Sequence, residues 1–258
     1  MDLQLKGKTA IVTGGSAGIG LAITKALAAE GVTVTVPGRS KEKLDSALAG
    51  IANVKAIVAD PGTSDGADDL IQQVPDTDIL INNLGIYEPK PFAEITDANW
   101  LKIFEVNVLS GVRLSRHYFP RMLERNWGRV IFISSESGIM TPPEMIHYGV
   151  TKSSQLAISR GLAELTKGTG VTVNTIMPGP TRSEAIVEFL EKMSTTKNPT
   201  PEQAEKEFFE KHRQSSLLQR LIESDEIASL VAFIASPLSA ATNGAALRAE
   251  GGLLRSIV

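Results

Sequence analysis

The chain has 258 residues, 42% of them hydrophobic, and its 26 basic and 29 acidic side chains leave a formal net charge of −3. That is apolar material for one large domain or two small ones, and the near balance of charge gives no broad electrostatic footprint for nucleic acid. The absence of cysteine excludes disulfides, thiolate metal sites and cysteine nucleophiles, and fits a reducing compartment.

The opening MDLQLKGKTAIVTGG has no long apolar core of the signal-peptide kind, and no uninterrupted apolar run approaches the ~18 residues of a membrane span. A cytoplasmic protein with no membrane partner is the expectation. There is no internal repeat or low-complexity tract. Short runs rich in Val and Ile recur instead: Thr9–Thr13, Val32–Val36, Val54–Ala59, Asp78–Asn82, Arg129–Ser134 and Val171–Met177. Near-continuous apolar runs of this length suit strands buried on both faces of a parallel sheet.

Helical patterns separate them, at Ile19–Glu30, Lys41–Ala49, Gly66–Val74, Ala98–Arg125 and Tyr148–Lys167, then Asp225–Ala235 before a last strand at Ala245–Ala249. The alternation predicts an α/β Rossmann-type doubly wound fold, and no convincing hairpin turns support an antiparallel α+β alternative. We expect one dinucleotide-binding and catalytic domain over residues 1–258. Residues 183–216 break the rhythm with two helical patterns parted by Lys197-Asn198-Pro199. The second opens Thr200-Pro201-Glu202-Gln203, an N-cap, a proline at N1 and a capping-box glutamine. This helical insertion is either a lid over the ligand end of the sheet or a packed surface excursion.

Thr13-Gly14-Gly15-Ser16-Ala17-Gly18-Ile19-Gly20 joins the first strand to the first helix. Glycines let backbone approach a pyrophosphate, and the helix start offers unpaired N–H groups to it. The same residues satisfy G-x-S-x-G, the nucleophile elbow of serine hydrolases. That reading needs a late histidine, and only His212, inside the helical insertion, comes late. For the nucleotide, an NAD site places an acid at the end of the second strand. Here Val36-Pro37-Gly38-Arg39-Ser40 lacks one and supplies a guanidinium suited to a 2′-phosphate, with Lys41 and Lys43 beyond. NADP(H) is therefore the preferred cofactor, with NAD(H) open. Asp60, ending the third strand, is a candidate acceptor for the adenine amino group.

Tyr148-Gly149-Val150-Thr151-Lys152 puts a phenol and an ammonium on one helical face, where the cation favours phenolate and makes Tyr148 a usable acid or base. Ser135 ends the fifth strand and Asn82-Asn83-Leu84-Gly85 the fourth, at the same sheet edge. Asn107 lies between Val106 and Val108 in the long helix.

Together these motifs, with the Pro178-Gly179 turn, make the chain similar to the short-chain dehydrogenase/reductase family over Lys6 to Gly252. The resemblance implies a seven-stranded parallel sheet and hydride transfer between a nicotinamide and a small carbonyl or alcohol. It implies that Tyr148 gives the proton, Lys152 lowers the Tyr148 pKa and binds the nicotinamide ribose, Ser135 polarises the carbonyl, and Asn107 holds a relay water. Gly14, Ser16, Gly18, Ile19, Gly20, Asp60, Asn82 and Gly85 match cofactor-contact positions, as do Pro178, Gly179, Thr181 and Ser183 at the nicotinamide end. It also implies a homotetramer or homodimer. Leu84 replaces the usual Ala, Ser183 the usual Thr and Glu250 the usual Asp. Glu136, Met140, Pro142, Met145, His147, Ile186, Val187, Phe189 and Leu190 are expected near the substrate. The alternatives are an NAD-dependent alcohol or polyol dehydrogenase and a catalytically silent cofactor-binding regulator. We expect no metal site.

Overall fold

Each Val- and Ile-rich run is short enough to be a strand and apolar enough to be covered on both sides. The computed structural model describes residues 1–257 and forms β1 (Thr9–Val12), β2 (Thr33–Gly38), β3 (Val54–Val58), β4 (Ile79–Asn82), β5 (Gly128–Ile133), β6 (Val171–Pro178) and β7 (Ala246–Ala249). They build one seven-stranded sheet in the order β3-β2-β1-β4-β5-β6-β7, every neighbouring pair parallel. All match the sequence expectation to within two residues at either end.

The pleat sends successive side chains to opposite faces. Ile11 joins Leu70, Leu114, Tyr118 and Met122 in one core, while its neighbour Val12 joins Ile23, Leu27, Ile227 and Val231 in the other. The helices α1 (Gly18–Ala29), α2 (Lys41–Leu48) and α9 (Ser224–Ala235) cover that second face. The first is covered by α3 (Ser64–Gln73), α5 (Ser110–Glu124) and α6 (Ile146–Glu164). Burying one such Ile or Leu stabilises the fold by roughly 1.5–3 kcal/mol, so the two cores together hold the sheet rigid.

The strand order reverses beside β1, which pairs with β2 on one side and β4 on the other. A crevice opens at the carboxyl ends of strands where the order reverses, and the glycine turn, Asn82–Gly85, Ser135 and the Pro178-Gly179 turn all follow or end strands at that edge.

The long helix expected over Ala98–Arg125 is divided. α4 (Asp97–Phe104) leads into a π-helical turn, Glu105–Leu109, and only then into α5. The widened turn carries Asn107, and its cause lies in the site described below. In the insertion, α7 (Glu184–Met193) and α8 (Pro201–Lys211) form as expected. The Thr200–Gln203 capping box is complete, with Gln203 N donating to Thr200 Oγ1 at 3.3 Å and Thr200 N to Gln203 Oε1 at 2.9 Å. Leu190, Ala204, Phe208, Phe209 and Leu221 give this pair a small core of its own. Among the described residues no helix is long and apolar enough to cross a membrane.

Candidate active site

A cavity of about 1240 Å³ opens at the carboxyl edge of the sheet. One end is the glycine turn after β1. Gly14 and Gly18 have φ of +64° and +49°, which side chains rarely adopt. A Cβ on Gly20 would lie 2.1 Å from the Gly14 carbonyl oxygen, so the α1 start can sit this close to the strand only without a side chain. The N-cap residue Ala17 makes no side-chain capping bond and no acid occupies the first turn. The helix start thus presents unpaired N–H groups suited to a pyrophosphate. Thr13 ties this turn to the one after β4: its hydroxyl accepts from Asn83 N at 2.9 Å and from Leu84 N at 3.0 Å. Asn83 Nδ2 returns a bond to the Thr13 carbonyl at 2.9 Å.

Of the residues expected at the cofactor, Gly14, Ser16, Gly18, Ile19, Gly20, Gly85, Tyr148, Lys152, Pro178, Gly179, Thr181 and Ser183 line the cavity. Four do not. Asn82 is buried and donates to Ser115 Oγ at 3.2 Å, while its neighbour Asn83 takes the place in the wall. Asp60 turns back to accept from Gly62 N at 3.0 Å. Arg39 is exposed, and Ser40 caps α2, accepting from Lys43 N at 3.3 Å. Glu42, Lys43, Ser46 and Ala47 of α2 line the cavity instead. Both turns of α2 thus reach the wall, while the loop before it lies outside.

At the other end stand Ser135, Tyr148 and Lys152. Lys152 is 4% exposed, and its Nζ donates to the Ile133 carbonyl at 2.9 Å and to Gln155 Oε1 at 3.3 Å. Burial lowers its pKa to about 8, opposed by the nearby Glu136 carboxyl. The Tyr148 phenol goes the other way. Burial first, and then the Glu136 charge, push it above the usual tyrosine value, with the Ser135 hydroxyl acting in the opposite sense. The net lowering expected from the i,i+4 spacing does not result, because burial and Glu136 outweigh an ammonium that is bonded to Ile133 and Gln155, 5.5 Å from the ring centre.

Asn107 explains the π turn. Its side chain is fully used on the loop after β4 and on α6, accepting from Ile86 N at 2.7 Å and donating to the Ile86 carbonyl at 2.9 Å and to Thr151 Oγ1 at 3.1 Å. Its own carbonyl accepts from Gln155 Nε2 at 2.6 Å. Gln155, 2% exposed, therefore stands directly between the Asn107 carbonyl and the Lys152 ammonium. Its one signal in the sequence is spacing, since Tyr148, Lys152 and Gln155 lie four and three residues apart on one helical face.

The insertion contributes Ile186, Phe189, Phe208 and the unanticipated Arg213 to the wall, which also takes Glu136 and Met145. Met140, Pro142, Val187, Leu190 and His147 stay out of it: Leu190 packs within the insertion, and the His147 ring meets Trp100 edge-on at 5.9 Å. Leu84 lines the cavity, as its position beside Gly85 implied. Glu250 is buried, accepting from Arg248 Nε at 2.8 Å and from the Leu253 and Leu254 amides, and its backbone packs against Gly179. The hydrolase alternative falls, since among the described residues no histidine lines this wall and His212 stacks on Phe208 beyond it.

Residues 8–194 match the family model for short chain dehydrogenase. The chain belongs to the short-chain dehydrogenase family. This dehydrogenase is 49% identical to the uncharacterized oxidoreductase YvaG of Bacillus subtilis, over the full length of both chains. It is 28% identical to the 3-oxoacyl-[acyl-carrier-protein] reductase FabG of Aquifex aeolicus, covering 98% of this chain and 100% of that one. Among solved structures it is similar to the L-sorbose reductase of Gluconobacter frateurii, described in complex with NADPH and L-sorbose. There the TM-score is 0.93 and the identity 26%, with all of both chains covered. The dehydrogenase is thus an oxidoreductase, and the fold expected from its sequence is the fold that it has.

Proposed function

We propose that this dehydrogenase is an NADP(H)-dependent reductase of small carbonyl compounds with Tyr148 as the proton donor. The supporting observation is the shared wall: Ser135, Tyr148 and Lys152 face the same cavity as the glycine turn and the uncapped start of α1. Those glycines, with Asn83, Gly85 and the Pro178–Ser183 turn, would hold a dinucleotide, which when bound supplies the hydride. A phenol with a raised pKa keeps its proton at neutral pH and can give it to a carbonyl oxygen as negative charge develops there. Ser135 would position that oxygen by turning its hydroxyl from Glu136 to the substrate, and the Lys152 ammonium, 5.5 Å from the ring centre, would stabilise the phenolate left behind. Asn107 acts through Gln155, which holds Lys152 in place.

The reductive kcat/KM is expected to fall as pH rises through about 8, where the free protein loses the Lys152 proton. The sign follows from the lowered pKa: the cation is present below that value and absent above it. A profile that stays level to pH 10 would remove Lys152 from this role.

Support for NADP(H) comes from the cation-rich link into α2, where Lys43 lines the cavity and the exposed Arg39 precedes it in the loop, free to turn toward a 2′-phosphate. Titrating the protein with NADPH and NADH by nicotinamide fluorescence is expected to show tighter NADPH binding. Arg39→Ala should weaken NADPH by roughly 10–100-fold and NADH far less, the scale of a charge-assisted hydrogen bond. Equal weakening would undo the 2′-phosphate argument. A second reading, NAD-linked alcohol oxidation, draws on Glu42, an acid lining the same end of the cavity. Tighter NADH binding, loosened by Glu42→Gln, would favour it.

A further inference from the structure

Glu136 and Arg213 are further charged side chains on the cavity wall, beside the reacting residues. Glu136 directly follows Ser135 and is 6% exposed. Its Oε2 accepts the Ser135 hydroxyl at 2.5 Å and its Oε1 the Ser137 hydroxyl at 3.3 Å. A carboxylate has about four lone-pair sites, so acceptor capacity remains beside the reacting carbonyl.

Arg213 follows α8, its side chain 13% exposed and its guanidinium 5.3 Å from the Phe208 ring centre. Nη1 donates to the His212 carbonyl at 2.9 Å. Nη2 is 3.7 Å from Glu144 Oε1, beyond hydrogen-bond reach, and Nε is buried with no partner among the described residues. Glu136 and Arg213 feel one another's charge but do not form an ion pair, so a gap separates an acceptor-rich group from a donor-only one.

A hydroxyl group suits that gap, since one oxygen can accept from the guanidinium and donate to the carboxyl. A plain alkyl ketone leaves both groups unanswered. A keto acid would suit Arg213 but set its carboxylate against Glu136 and Glu144, which line the same wall, so a neutral ligand fits this set of charges better.

We propose that Glu136 and Arg213 select the substrate, and that it is a neutral carbonyl compound with hydroxyl groups next to the carbonyl, a hydroxyketone or ketose. This rests on the reductase reading and deepens it. Reduction yields the corresponding polyol: the carbonyl carbon gains the hydride from NADPH, leaving NADP⁺, and the oxygen gains the Tyr148 proton.

The test is a four-carbon series with NADPH: butanone, 1-hydroxy-2-butanone, erythrulose and 2-oxobutanoate. The hydroxylated ketones are expected to exceed butanone in kcat/KM by roughly tenfold or more, the scale of discrimination when a polar site meets an analogue lacking the group it binds. Arg213→Met and Glu136→Gln should lower erythrulose turnover more than butanone turnover, so that the ratio collapses. Independently of turnover, a butanetetrol should raise the melting temperature in the presence of NADP⁺ where 2-butanol does not, and Arg213→Met should abolish the shift. Equal use of butanone and its hydroxylated forms, preference for 2-oxobutanoate, or variants that lower turnover of butanone and erythrulose alike and leave their ratio unchanged would overturn the proposal. If the protein binds NADPH but turns over none of the four, the substrate class is wrong and the reductase reading stands. Binding of neither nucleotide would overturn the reductase reading itself.

Discussion

Tyr148→Phe is expected to lower turnover by roughly 10²–10⁴-fold while nicotinamide binding survives, because only the proton transfer is lost. The phenol is half-buried at the cavity wall, meeting the Tyr87 ring edge-on at 6.3 Å, and a phenylalanine retains that packing. Its hydroxyl makes no structural hydrogen bond that the fold depends on, so the melting temperature should hardly move. The pair of measurements is steady-state turnover beside NADPH titration by fluorescence. Near-normal turnover by the variant would remove Tyr148 as the acid. Loss of binding and turnover together would instead make it a structural support of the nucleotide site.

The second large effect is expected at the glycine turn. In Gly20→Ala the new methyl would meet the Gly14 carbonyl oxygen at 2.1 Å and Asn83 Nδ2 at 2.5 Å, and the first of these is backbone. Relief requires the turn to open, which breaks the bonds that Asn83 makes to Thr13 and Gly14 at 2.9 and 3.4 Å. Overpacking of this kind costs roughly 1–3 kcal/mol, and here it also displaces the helix start from the pyrophosphate position. Nucleotide binding should therefore be lost, with a lower melting temperature. Gly161→Ala is the matched control: an added methyl there meets nothing within 4 Å and the position is helical. That variant should bind nucleotide normally and be slightly stabilised, by about 0.4–1 kcal/mol. Normal binding by Gly20→Ala would mean that the turn does not carry the pyrophosphate.

The sheet was legible in the sequence because each strand is buried on both faces, so its signal is carried by its own residues. Ile79-Leu80-Ile81 needs no partner to be read as a central strand, and all of it is buried. The glycine turn and the Tyr148–Lys152 pair were legible for the same reason, their chemistry being local. The parts that escaped depend on distant partners. The π turn forms because Asn107 is engaged by Ile86 and Thr151, 21 and 44 residues away. Arg213 reaches the cavity only because α7 and α8 fold back on their own small core. Arg39 and Asp60, expected at the nucleotide, lie outside the cavity lining, Arg39 exposed before α2 and Asp60 turned back on Gly62. A strand end fixes where the backbone goes, whereas the wall is set by which face of α2 turns toward it. The Tyr148 pKa failed on neighbours: spacing predicted a nearby cation, but burial and Glu136 dominate.

Gln155 has a consequence for how the site refills. A carboxamide can brace two groups, but its N–H does not ionise at any pH the protein meets, so it holds position without handing a proton along. With that amide spanning the distance from the Asn107 carbonyl to Lys152, the inner side of the ammonium is plugged. With Tyr148 as the proton donor proposed above, its reprotonation would then run through the cavity side, by the same mouth that would admit the substrate.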